Sequence, residues 1–163
     1  MIILGIDPGY AIVGYAVVAL KKNKLMLVKC GTIETPSMLN FAARLEHIYS
    51  QIKIIFKNFE PNAVAIESLY FQKNKKTAIS VAHARGVILL ATQRFRTKVF
   101  EYTPLQVKSS ITGFGRATKQ QIISMTQRLL NLKSPAKPDD AADAIAIAIC
   151  HLNVFKYIDR FIS

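Results

Sequence analysis

Four of the ten acidic residues in this 163-residue chain border apolar segments. Asp7 closes the run Ile2-Ile3-Leu4-Gly5-Ile6, and Glu67 closes Ala63-Val64-Ala65-Ile66. Asp140 and Asp143 open Ala144-Ile145-Ala146-Ile147-Ala148-Ile149. A carboxylate beside apolar neighbours is costly to desolvate unless a positive charge compensates it. Three separate segments that each offer such an acid point to a shared site for a hard divalent cation, which prefers oxygen ligands. Mg²⁺ is the expected ion, with Mn²⁺ as a substitute. Two ions about 4 Å apart would suit in-line phosphodiester hydrolysis, one activating water and the other steadying the leaving oxygen. A single acid at a strand end is commonly a turn residue, and an acid in a first helical turn is commonly a cap. Asp139 is read as such a cap, and the metal reading rests on the coincidence of the other four.

The elements that must position these acids follow from hydrophobic periodicity. Residues 2–6 read as a buried strand ended by Pro8-Gly9. Residues 14–20 and 25–33 read as two more strands, joined by the polar turn Lys21-Lys22-Asn23-Lys24 into an antiparallel meander. Thr35-Pro36-Ser37 is expected to open a helix to about Phe59, which Pro61-Asn62 breaks. Residues 63–66 and 98–102 complete five strands, with a helix over about 77–95 between them. A short helix should follow Pro104, and another should run from Thr118, its N-cap, to Leu130. The last helix should begin near Asp139 and run past Cys150. The order predicts an α/β fold: a five-stranded mixed sheet, three-strand meander plus two further strands, flanked by helices. One domain over 1–163 is expected, with a looser tail after about 155.

Asp7 and Glu67 then stand at strand C-termini, where sites form in open α/β sheets. Asp140 and Asp143, three apart, share a helix face in the first turn. Docking that helix start on the strand tips would give a compact four-acid cluster, mutually repelling until a cation arrives.

Lys and Arg total 22, for a net charge of +12 and a pI of about 9.9. Such a balance favours nucleic acid or an anionic membrane surface as partner. A hydrophobic fraction of 51% excludes a disordered chain. Cys30 and Cys150 fit no zinc spacing and read as small buried hydrophobes. The N-terminus lacks the basic stretch of a signal peptide, and no apolar run approaches the roughly 18–20 residues of a membrane span. A cytoplasmic protein without membrane contact is expected.

Basic residues gather beside the acids: Lys73, Lys75 and Lys76 after Glu67, then Lys108, Arg116 and Lys119 around Gly113–Gly115. Loops beside a metal cluster are where phosphate contacts belong. Tyr70 and Phe71, between an acid and a basic run, could stack on an unpaired base, or bury in the core. Lys119 lies in the first turn of a helix, where a cation is unfavourable unless it meets an anion, so it reads as a phosphate or transition-state contact. Arg85 either anchors a loop or faces a phosphate, and His83 is packed or at an interface between subunits. Small residues Ala78, Ala82, Ala84 and Gly86 make the 77–95 helix the candidate dimer surface.

Several of these motifs also carry a resemblance. The opening Ile3-Leu4-Gly5-Ile6-Asp7-Pro8-Gly9 with Gly14-Tyr15 resembles the start of the bacterial RuvC family of Holliday junction endonucleases. So do Ala65-Ile66-Glu67, Ala84-Arg85-Gly86, Glu101-Tyr102-Thr103-Pro104 through Val107-Lys108, and Asp140-Ala141-Ala142-Asp143-Ala144. The likeness spans nearly the whole chain in order. It implies a ribonuclease H-like fold, a homodimer, and Mg²⁺-dependent paired nicking of four-way DNA junctions beside the RuvA–RuvB branch-migration complex. By motif match it implies catalytic acids at Asp7, Glu67, Asp140 and Asp143, DNA-contacting lysines at Lys108 and Lys119, and the aromatic after the second acid at Tyr70, by spacing, or Phe71.

Three other readings compete. A sugar-kinase or actin-like ATPase shares the Gly-Ile-Asp-x-Gly opening, but needs two such domains. A non-catalytic junction-binding module would have no reason to gather four costly carboxylates. An RNA–DNA hybrid nuclease on the same fold would use the same acids on a different substrate.

Overall fold

The computed structural model describes residues 1–69 and 75–162, with Lys75, Lys76 and 156–162 described through their backbone alone. Its elements are strands β1 (Ile2–Asp7), β2 (Ile12–Lys21) and β3 (Lys24–Glu34), helix α1 (Phe41–Phe59), strand β4 (Ala63–Glu67), helix α2 (Lys75–Arg94), strand β5 (Lys98–Tyr102), and helices α3 (Pro104–Thr112), α4 (Lys119–Leu129) and α5 (Asp139–Ile162).

The five strands form one sheet in the order β3-β2-β1-β4-β5. β1–β2 and β2–β3 pair antiparallel, whereas β1–β4 and β4–β5 pair parallel. The parallel pairs require crossovers, which α1 and α2 supply. β1 is therefore central, and its residues 3–6 are fully buried on both faces.

Side-chain alternation along the strands sorts the core into two layers. Ile3, Ala63 and Ala65 pack with α5 on one face, together with Val107, Ile111 and Ile122 of α3 and α4. Leu4, Ile6, Val64 and Ile66 pack with Ile48, Ile52 and Phe56 of α1 and with Ile88 of α2 on the other. Asp7 continues the Ile3–Gly5 set and Glu67 the Ala63–Ala65 set, so both acids fall on the α5 face.

α5 lies close on the sheet because small residues meet there. A Cβ at Gly5 would run into the Ala144 carbonyl oxygen and come 2.8 Å from Ala148 Cβ. A Cβ at Gly14 would run into the Asp140 carbonyl oxygen. These two glycines seat the first turns of α5 on β1 and β2, and that seating sets the height of its acids above the strand tips.

α1 begins six residues later than the Thr35 expected from sequence. Asn40 is its N-cap, and the Asn40 side chain accepts a hydrogen bond from the Ala43 amide at 2.9 Å. Thr35 is buried instead, donating to the Tyr10 carbonyl at 2.9 Å and accepting from Arg44 Nε at 2.8 Å. Its hydroxyl thus ties the β1–β2 turn to α1, and the Arg44 guanidinium lies 4.0 Å above the Tyr10 ring. α3 and α4 each start with a capping box, Thr103 with Gln106 and Thr118 with Gln121. Cys150 is buried as expected; Cys30 is only partly so.

A candidate acidic active site at the strand tips

Asp7 ends β1, Glu67 ends the neighbouring parallel strand β4, and Asp143 projects from the second turn of α5. With Lys108 of α3 and Lys119 of α4 they line one cleft of about 250 Å³, whose apolar wall is Pro104, Val107, Ile122, Ala146 and Ile147. Ala146 and Ile147 follow Asp143 by three and four residues, so the helical face that offers the acid also walls the cleft. The sequence reading assigns none of these wall residues to the site. Their spacing from Asp143 and Lys119 is the signal that could have found them.

The acids feel one another strongly. Burial, and then the charges of Glu67, Asp143 and Asp140, push the Asp7 carboxyl up to about 7, against a smaller downward pull from Lys119. Glu67 is also raised, by burial first and then by Asp143, with Lys108 opposing. Near neutral pH, then, the cluster cannot be fully ionised without more positive charge than the chain supplies.

Asp140 stands apart from the other three. Its carbonyl packs over Gly14, and it does not line the cleft, although its charge still reaches Asp7. Asp139 plays a larger part than a cap. Lys119 Nζ lies 3.2 Å from an Asp139 oxygen and 3.2 Å from an Asp143 oxygen, so the ammonium bridges two acids one helical turn apart. Burial alone would lower the Lys119 pKa, but the hydrogen bonds and charges of these two acids outweigh it and raise the pKa. The two acids at the start of α5 therefore already meet one cation, an ammonium from the chain itself.

The all-oxygen donor set and its unmet negative charge suit a hard divalent ion. Asp7, Glu67 and Asp143 are the residues that could hold it, with Asp140 in reach of their field. In the positions they occupy here, no three acidic, His or Cys side chains among the described residues form a ready-made cation cage. Asp143 turns one oxygen to Lys119, so a cation held there would share the carboxylate with the ammonium or displace it.

The remaining expected residues fall as follows. Arg116 is exposed on the loop before α4, and Lys108 is partly buried at the cleft. Arg85 of α2 is paired with Glu101 of β5 at 2.6 Å; its side chain is 16% exposed and its Nε has no partner among the described residues. The partner of Arg85 is thus on strand β5 and not on a loop. His83 is exposed, donating through Nδ1 to the Ile79 carbonyl at 2.7 Å and meeting the Phe41 ring edge-on. Tyr70, Phe71 and Lys73 lie outside the described residues, as do the side chains of Lys75 and Lys76.

The sequence reading gives no role to Ser68, and names Tyr102 only within a motif. The Ser68 amide and hydroxyl both donate to the Tyr102 carbonyl, at 2.9 and 3.3 Å, and hold the chain just beyond Glu67 against β5. The Tyr102 hydroxyl shares a 2.7 Å hydrogen bond with Nδ1 of the buried His151 on α5. Burial pushes Tyr102 up to about 12 and His151 down. This neutral pair ties β5 to α5, behind the strand tips.

A mixed sheet in the order 3-2-1-4-5, with acids on adjacent central strand tips and on a helix crossing them, defines a ribonuclease H-like protein. Residues 3–151 match the family model described as crossover junction endodeoxyribonuclease RuvC, and the chain belongs to that family. A relative of that name from Halothermothrix orenii is 51% identical over 156 residues, covering 96% of this chain and 94% of its own. One from Clostridioides difficile is 51% identical over 151 residues, covering 93% and 89%. The Thermus thermophilus RuvC structure in complex with Holliday junction substrate superposes with a TM-score of 0.92 at 32% identity, covering 96% of each chain.

Proposed function

We propose that the protein is a divalent-cation-dependent endonuclease that resolves four-way DNA junctions by paired hydrolysis of phosphodiesters. The observation that carries the reading is the convergence of Asp7, Glu67 and Asp143 on one cleft flanked by Lys108 and Lys119. Family membership and the junction-bound Thermus relative support the substrate.

Asp7, Glu67 and Asp143, with Asp140 beside them, would hold Mg²⁺, two ions per site; bound there, it supplies a water nucleophile at neutral pH and charge stabilisation at the phosphate. The chain's own residues do the rest. Lys108 and Lys119 bring positive charge to the cleft and attract the scissile phosphate. Lys119 is poised to leave Asp143 while staying on Asp139, and so to offer its ammonium to the charge that develops on the phosphoryl oxygens. The apolar wall from Val107 to Ile147 limits water, which strengthens these interactions. Arg116 extends the basic surface beyond the cleft.

A junction has two-fold symmetry, and paired nicks call for two sites related by the same axis. α2 is the surface that suits a homodimer. Its exposed Ile79 and Leu90, with Leu45, Ala82 and Val87 alongside, form an apolar face around Gly86. No helix among the described residues is long and apolar enough to cross a membrane. Work in the cytoplasm beside RuvA–RuvB follows from the family reading.

The test is cleavage of a labelled synthetic four-way junction, with Mg²⁺, with Mn²⁺ or with chelator, beside linear duplex and an RNA–DNA hybrid. Metal-dependent paired nicks confined to the junction are expected. Cutting of the hybrid alone would replace the substrate, and tight junction binding without cutting under any metal would remove the catalytic reading.

A further inference from the structure

One aromatic beside the cleft has no role in the core. Phe114 is 48% exposed on the loop between α3 and α4, five residues before Lys119 and two before Arg116. A single exposed apolar side chain is ordinary on a protein surface; what marks this one is its place in the basic loop that leads into the cleft.

The loop is built to present it. Gly113 adopts φ +84, where only glycine is unstrained, and turns the chain out of α3. The Thr112 hydroxyl lies 2.9 Å from both the Lys108 and the Phe114 carbonyls, donating to one at a time, and accepts from the Phe114 amide at 3.4 Å, which ties the residue to the end of α3. A Cβ at Gly115 would come 2.9 Å from Leu105 Cγ. Leu105 is in the first turn of α3, next to Pro104 of the cleft wall. The loop thus folds back along α3 to the end where the cleft opens, and Thr118 caps α4 so that Lys119 leaves the same loop toward Asp143. Phe114 is therefore presented on the loop that joins two cleft-lining helices, with Lys108 before it and Arg116 and Lys119 after it in sequence.

We propose that Phe114 is a DNA-contacting residue whose ring stacks on a base beside the cleaved phosphate while Arg116 meets a neighbouring phosphate. The proposal rests on the nuclease reading above. Stacking on an aromatic ring tolerates any base, and a cation two residues away supplies the phosphate contact that positions it. At a branch point base faces are more accessible than inside a duplex, so an exposed ring has a surface to cover.

The experiment compares the wild-type full chain with Phe114→Ala, Phe114→Leu and Arg116→Ala, in chelator, on junctions carrying 2-aminopurine at successive positions around the branch. Because the ring is exposed, melting temperatures should be unchanged. Phe114→Ala should weaken junction binding by about 10-fold, within the range for loss of one base–aromatic stack. The slope of log affinity against log salt should stay the same, since no cation is lost, whereas Arg116→Ala should reduce it by about 0.9. The 2-aminopurine quenching that wild type produces at one position should vanish in both Phe114 variants. Wild-type affinity and quenching in Phe114→Ala, or in Phe114→Leu, would overturn the stacking role while leaving the nuclease reading intact. If wild type binds the junction no better than linear duplex, the substrate reading falls, and this proposal with it.

Discussion

Replacing Asp7 with Asn should stabilise the metal-free protein, and by an amount that grows with pH. The Asp7 carboxyl titrates near 3.8 when unfolded and at about 7 when folded. Between those values the folded chain holds a proton that the unfolded chain has lost. Unfolding then releases a proton, so stability falls as pH rises through this window and levels off above about 7. A difference of about 3 pKa units at about 1.4 kcal/mol each gives roughly 4 kcal/mol above pH 7, and only about 0.5 kcal/mol at pH 4. Asn fills nearly the same volume without the charge, so the variant escapes this penalty. Water entry and side-chain relaxation lower the figure, and about 2 kcal/mol is the least that the four-carboxylate geometry should leave. The assay is urea unfolding of both proteins in chelator at pH 4, 6 and 8. The variant's advantage should widen with pH, and saturating Mg²⁺ should raise the wild-type midpoint at pH 8 more than the variant's. Equal stability of the two proteins at pH 8 in chelator would refute the claim that Asp7 is buried among uncompensated acids. Junction cleavage by Asp7→Asn should be abolished in any case, which separates loss of function from loss of fold.

Three further outcomes follow. Gly5→Ala should cost about 3 kcal/mol by forcing α5 off β1, and should depress cleavage beyond what unfolding explains, because Asp143 moves with the helix; thermal melts and rates measured well below the transition check both. Tyr102→Phe strips the buried His151 of its partner and should lower stability by about 1–2 kcal/mol, read from denaturant midpoints, with little change in junction affinity. Lys119→Met should slow cleavage by about 100-fold, as loss of one transition-state donor does, without weakening Mg²⁺ binding measured by calorimetry, since the ammonium competes for Asp143.

Much of this architecture is legible in the amino-acid order alone. β1, β2 and β4 announce themselves through short apolar runs, α3 through Pro104 and α4 through its Thr118 cap, because these signals depend on neighbours within a few residues. The acids at strand ends are visible for the same reason, and the two-residue alternation already places Asp7 and Glu67 on one face. Local order misled at Thr35, where a cap-like residue turned out to hold the β1–β2 turn through Arg44, while Asn40 capped the helix.

Tertiary structure alone decided which acids meet. The pairing of β1 with β4 brings Asp7 beside Glu67, though 60 positions separate them, and the seating of α5 on Gly5 and Gly14 sets Asp143 into the cleft while Asp140 stays outside it. It also gave Lys119 two partners, Asp139 and Asp143, and turned Arg85 to Glu101. A helical or strand period specifies the direction in which a side chain leaves its own element. It does not specify which charge waits there, because that depends on strand order and on how closely a helix can approach the sheet.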